Sequence, residues 1–115
     1  MIVDVFCKII NGDLEADVVW QDKDFLVIND IHPQAPVHVL IIPKKHFEAL
    51  HDFKEEDAPL LGKALLVAEK VAKQLGVHEK GYRLIINEGV HGGKLVPHLH
   101  MHLLGGKALG PKIVK

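Results

Sequence analysis

The segment His98-Leu99-His100-Met101-His102-Leu103-Leu104 constrains this chain most. Side chains alternate across a β-strand, so three imidazoles share one face and Leu99, Met101 and Leu103 share the other. The apolar side demands a cover, and the polar side demands a cleft or solvent. The pattern predicts a fifth strand from Pro97 to Leu104, closed by Gly105-Gly106.

The cover is visible upstream. Leu61, Ala64, Leu65, Ala68, Val71, Ala72 and Leu75 recur at three- and four-residue spacing, which predicts a helix from Asp57 to Leu75. Glu55, Glu56 and Asp57 suit its positive end, Lys70 and Lys73 its negative end, and Gly76 its left-handed stop. Pro59 belongs in the first turn. A shorter helix is expected from Asp4 to Ile10, started by the Asp4 side chain and ended near Asn11-Gly12.

Val18-Val19-Trp20 and Phe25-Leu26-Val27-Ile28 read as strands joined by an Asp22-Lys23-Asp24 turn. His32-Pro33-Gln34-Ala35-Pro36 is a loop. Val37 to Ile42 is a third strand, apolar enough near Leu40-Ile41-Ile42 to be buried on both faces. Tyr82 to Asn87 is a fourth. Hairpin connections around one long helix give an antiparallel α+β fold rather than a doubly wound parallel sheet. At 115 residues, 48% hydrophobic and 25% charged, the chain is sized for a single domain, 1–115.

Charge and cysteine content narrow the function. Fourteen Lys plus Arg stand against fifteen Asp plus Glu. A DNA or RNA binder carries a basic excess, so nucleic acid is not expected as a partner. Cys7 is the single cysteine, which excludes an internal disulfide and a cysteine-based zinc site and suits a reducing cytoplasmic setting. Asp4 and Lys8 interrupt the apolar start, so no leader is expected. No 18-residue apolar run predicts a membrane span.

Two chemistries compete for the histidine row. One metal cannot take all three side chains, because Cα atoms of His98 and His102 lie about 13 Å apart on a strand while zinc needs each nitrogen at about 2.0–2.1 Å. A metal would use two neighbours, with His38 as a third ligand and a carboxylate as a fourth. The alternative is covalent chemistry on phosphate. A neutral imidazole attacks phosphorus, and neighbouring imidazoles stabilise the charge that develops. This second reading needs no metal and no cofactor.

The triad pattern is joined by Phe6-Cys7-Lys8-Ile9-Ile10, Pro33-Gln34-Ala35-Pro36-Val37-His38, Pro43-Lys44-Lys45-His46 and Asn87-Glu88-Gly89. Together these resemble the Hint branch of the histidine-triad (HIT) family along nearly the whole chain. The resemblance implies a five-stranded sheet continued across a homodimer. It also implies hydrolysis of purine nucleoside 5′-phosphoramidates or acyl-adenylates to AMP- or GMP-type monophosphates. His100 would be the nucleophile, His98 would orient it, His102 would contact phosphate and leaving group, and His38 would sit behind the nucleophile. Asp30 would bind the ribose. Phe6, Ile9, Ile28 and Ile31 would line the base pocket, while Asn87, Gly93, Leu95 and Val96 would hold the phosphate. Some relatives carry a structural zinc site using cysteines, a version a single Cys7 excludes.

Where many relatives carry a Ser-assisted leaving-group site and an aromatic before the triad, this chain has Lys94, Leu95 and Pro97. Lys94 would add a cation near the phosphate. His32, His46, His51, His78 and His91 are expected on the surface. A nucleotide-binding scaffold with vestigial catalysis is the competing function.

Overall fold

A computed structural model describes residues 4–111. Five strands form one antiparallel sheet in the order β1-β2-β3-β5-β4. They are β1 (Val18–Gln21), β2 (Phe25–Asn29), β3 (Val37–Pro43), β4 (Tyr82–Ile85) and β5 (Met101–Gly105). The short helix α1 spans Val5–Ile10 and the long helix α2 spans Ala58–Gln74. Residues 1–3 and 112–115 of the expected single domain lie outside the described residues.

The two helices explain why β2 and β3 read as continuous apolar runs. Phe25, Val27, Val39, Ile41, Met101 and Leu103 face α2, where they pack against Val67, Ala68, Val71 and Ala72. Leu26, Ile28, Leu40 and Ile42 face the other way and pack against Phe6 of α1. Each strand buries both faces, so alternation is absent from its composition although present in its geometry.

Local chemistry sets the ends. Asp4 Oδ1 accepts the Cys7 N–H at 2.8 Å and starts α1. Asp22 Oδ1 accepts the N–H groups of Asp24 and Phe25, each at 2.8 Å, and closes the β1–β2 turn. Lys63 of α2 reaches both Asp22 and Asp24 at 2.7 Å and ties the helix to that turn.

The boundaries depart from the sequence in three places. The buried stripe of α2 is centred on Val67 rather than Leu65, which is 57% exposed. Two 3₁₀ turns, Leu50–Asp52 and Glu55–Asp57, precede that helix. Strand β5 begins at Met101, because the chain bends at Pro97 and His98 N–H bonds back to Val96 O at 2.9 Å. Strand β4 stops at Ile85, which pairs with His102.

Candidate active site

The face-sharing of the three histidines survives the shorter strand. His98 and His100 meet the Phe6 ring edge-on, with centroids 5.9 and 5.0 Å away. His100 and His102 rings lie 5.1 Å apart. The expected open row is corrected, however. His98 is completely buried, His100 is buried and only His102 is partly exposed. Helix α1 covers the first two through Phe6.

Hydrogen-bond partners dictate which nitrogen carries each proton. His100 Nδ1 lies 2.8 Å from the His98 carbonyl oxygen. A carbonyl only accepts, so Nδ1–H donates and Nε2 of His100 keeps its lone pair. The Gln34 N–H donates to His38 Nδ1 at 3.0 Å, so His38 holds its proton on Nε2. That Nε2–H donates to His102 Nδ1 at 2.9 Å, which leaves His102 an outward Nε2–H. His38 thus stands behind His102 rather than behind His100, because residues of β3 and β5 pair Leu40 with His102 and His38 with Leu104.

Both cavity-facing imidazoles are held neutral. Burial pushes His100 below its ordinary value; its bond to the His98 carbonyl opposes this, and the Lys94 charge adds to it. Burial, then the charges of His100 and His38, push His102 down to about 4. A neutral His100 with a free Nε2 is a nucleophile, and a neutral His102 with Nε2–H is a donor.

A cavity of about 320 Å³ opens before these two rings. Phe6, Ile9, Ile28 and Ile31 form an apolar part of its wall, and Asp30 and Asn87 supply polar groups. Gly93, Leu95 and Val96 close a further side. The structure therefore brings together every expected site residue except His38 and His98, which stand behind the cavity-lining rings. Val5, Asn29 and Leu40 also line it. Leu40 and Asn29 were unreadable because core strand residues carry no mark of a cavity.

Asp30 has two partners: Oδ1 accepts the His32 N–H at 2.8 Å, and Oδ2 lies 3.4 Å from His38 Nε2. The β4–β5 loop is folded tightly. Asn87 Nδ2 donates to Gly92 O at 2.7 Å, and Lys94 N–H bonds Gly89 O at 3.1 Å. Lys94 does not line the cavity. Its ammonium bonds the Glu48 carbonyl and lies 3.5 Å from Glu88.

Among the described residues, two groups bring three or more potential metal donors together. Asp30, His38 and His102 form one, but His38 Nδ1 is occupied by the Gln34 N–H and its Nε2 by His102. The other contains Asp4, Cys7, His46 and His98. His46 was expected on the surface; a lone His after a strand gives no sign that β3 delivers it to the start of α1.

Comparison with known proteins agrees with this geometry. The HIT domain family matches residues 11–109. The chain belongs to the HIT family, and it is a hydrolase of that family. It is 47% identical over 109 residues to a purine nucleoside phosphoramidase of Escherichia coli K12, covering 95% of this chain and 92% of that one. It is 51% identical over 106 residues to an uncharacterized HIT-like protein of Chlamydia muridarum, covering 92% and 83%. A HIT family hydrolase structure from Clostridium thermocellum superposes with a TM-score of 0.95 at 49% identity, covering 99% of each chain.

Proposed function

We propose that this chain hydrolyses purine nucleoside 5′-phosphoramidates or acyl-adenylates to the nucleoside monophosphate through a nucleotidyl-His100 intermediate. The observation that carries this is the pairing of a free His100 Nε2 with an outward His102 Nε2–H on one cavity wall. The phosphoramidase activity of the E. coli relative supports the substrate class.

In this reading Nε2 of His100 attacks phosphorus and the bond from phosphorus to the leaving group breaks. His102 presents Nε2–H to the phosphate and the departing atom, a bond that strengthens as negative charge builds there. An amine leaving group takes up a proton from solvent as it departs. Water then attacks phosphorus, the bond to His100 breaks, and the water's proton passes to solvent. His100 returns unchanged. The purine would rest on Phe6, Ile9, Ile28 and Ile31, the ribose against Asp30, and the phosphate near Asn87, Gly93 and the chain at Leu95–Val96.

The reading includes a cytoplasmic homodimer. Strand β4 is a sheet edge, and Leu65, Leu66 and Ile86 expose apolar side chains. Sedimentation showing a monomer at micromolar concentration would contradict it.

The catalytic test is AMP release from adenosine 5′-phosphoramidate by wild type and His100→Ala. The expected result is turnover by wild type only, with AMP binding retained in the variant. Tight AMP binding by a wild type that turns nothing over would instead favour a nucleotide-binding scaffold.

A further inference from the structure

The reacting cavity has a neighbour. A groove of about 420 Å³ shares Leu95 and Val96 with it and runs along Val90 and Pro97 to the segment at Glu48 and Ala49. Among the described residues, the most exposed large apolar side chains are Leu95 at 93%, Val90 at 92% and Ile31 at 86%. Single exposed apolar residues are ordinary on a protein surface, but a group of them around one opening marks a contact surface. Ile31 and Leu95 line the reacting cavity, and Leu95 and Val90 line the groove beside it. The loop holds them there. Lys94 N–H bonds Gly89 O at 3.1 Å and Gly93 N–H bonds Val90 O at 3.0 Å, so one closed turn carries both Val90 and Leu95.

The charged groups at the base of this groove are occupied with one another. The Lys94 ammonium bonds the Glu48 carbonyl and lies 3.5 Å from Glu88 Oε1. That same oxygen accepts the Leu50 N–H at 3.2 Å. What the groove offers an incoming group is therefore chiefly the apolar surface of Leu95, Val90 and Pro97. The exposed Glu48 also lines it and repels an anion.

We infer that Leu95 and Val90 determine leaving-group specificity, and that the groove they line selects amines carrying an uncharged alkyl or aryl chain. The inference rests on the hydrolytic reading above. In that reading the nucleoside fills the part of the cavity walled by Phe6, Ile28 and Asp30, and the main chain at Leu95–Val96 holds the phosphate. The Leu95 side chain is left free. Attack by His100 Nε2 expels the group on the far side of phosphorus. The space that adjoins the phosphate and is not taken by the nucleoside is this groove, which Leu95 and Val96 share with the cavity. When the phosphorus–nitrogen bond breaks, the nitrogen departs with the bonding electrons and takes a proton from solvent, while its chain lies against Leu95 and Val90. Removing their surface from water favours a carbon chain over a polar one of equal length.

The experiment compares adenosine 5′-phosphoramidates whose leaving groups are ammonia, hexylamine and an ether-alcohol amine of the same length as hexylamine. The full chain hydrolyses each, and kcat/KM is read from AMP release. Wild type should favour the hexyl substrate over the ether-alcohol one by about tenfold, and Leu95→Ser should bring that ratio below about threefold. Val90→Ser should lower the ratio as well, and Leu95→Met, which restores an apolar side chain, should keep it. A wild-type ratio near one, or a ratio untouched by both serine variants, would overturn the subsite while turnover of the ammonia substrate upheld the hydrolytic reading. Silence of the wild type toward every substrate, ammonia included, would overturn that reading and the subsite with it.

Discussion

The Nδ1–H of His100 donates to the backbone carbonyl of His98 at 2.8 Å, and this one bond frees Nε2 of His100 toward the cavity. A triad histidine two residues upstream thus holds His100 through its main chain. Removing the proposed nucleophile leaves the other lining residues in place. His100→Ala should lower kcat by more than about 10³-fold while AMP affinity, read by calorimetry, changes little.

His38 reaches the chemistry through His102, its Nε2 also lying 3.4 Å from Asp30 Oδ2. His38→Ala removes the donor that keeps the His102 proton on Nε2. Supporting hydrogen bonds of this kind are worth about 10- to 100-fold. Steady-state kinetics should therefore show kcat reduced by about that factor with KM little changed. An equal rise in KM would mean that His38 shapes the pocket instead.

The fold was legible in the sequence because it follows from periodicity, whereas the cavity-lining residues were expected only through the resemblance to the histidine-triad family. The spacing from Leu61 to Leu75 marked α2, and the alternation from His98 to Leu104 put three imidazoles on one side. The depth of those imidazoles was not legible, since nothing local to His98 shows that Phe6 and α1 cover it. The α2 stripe was misplaced at Leu65 because Leu65, Leu66 and Val67 are adjacent and equally apolar. The partnership of His46 with Asp4 and Cys7 joins residues about forty positions apart, and single-segment patterns carry no such information.

Gly92 is required by close approach rather than by a left-handed backbone. A Cβ there would lie 2.1 Å from the Glu88 carbonyl oxygen, which cannot move without opening the loop. Gly92→Ala should destabilise the chain by about 1–3 kcal/mol, read as a lower denaturation midpoint. It should also weaken nucleotide binding, because Asn87 holds the Gly92 carbonyl and both Asn87 and Gly93 line the cavity.

Acid sensitivity has a definite source in the β1–β2 turn. Burial alone would raise the Asp22 carboxyl, but the Lys63 ammonium and the N–H groups of Phe25 and Asp24 outweigh it and hold the group at about 2. Between the ordinary carboxylate value and about 2, the unfolded chain binds more protons than the folded one, so this contribution to stability rises with pH. It is complete above about pH 4 and disappears as pH falls through 2. Thermal melts from pH 5 to 2 should show a steeper loss for wild type than for Asp22→Asn.

The most direct test of the central claim is trapping of the intermediate. Wild type mixed with excess adenosine 5′-phosphoramidate, quenched in alkaline denaturant during turnover, is read by intact mass and then by peptide mapping. A single adenylyl group on the peptide containing His100, absent from His100→Ala, is the predicted result. Steady turnover with no adduct, together with activity retained by His100→Ala, would contradict covalent catalysis at His100.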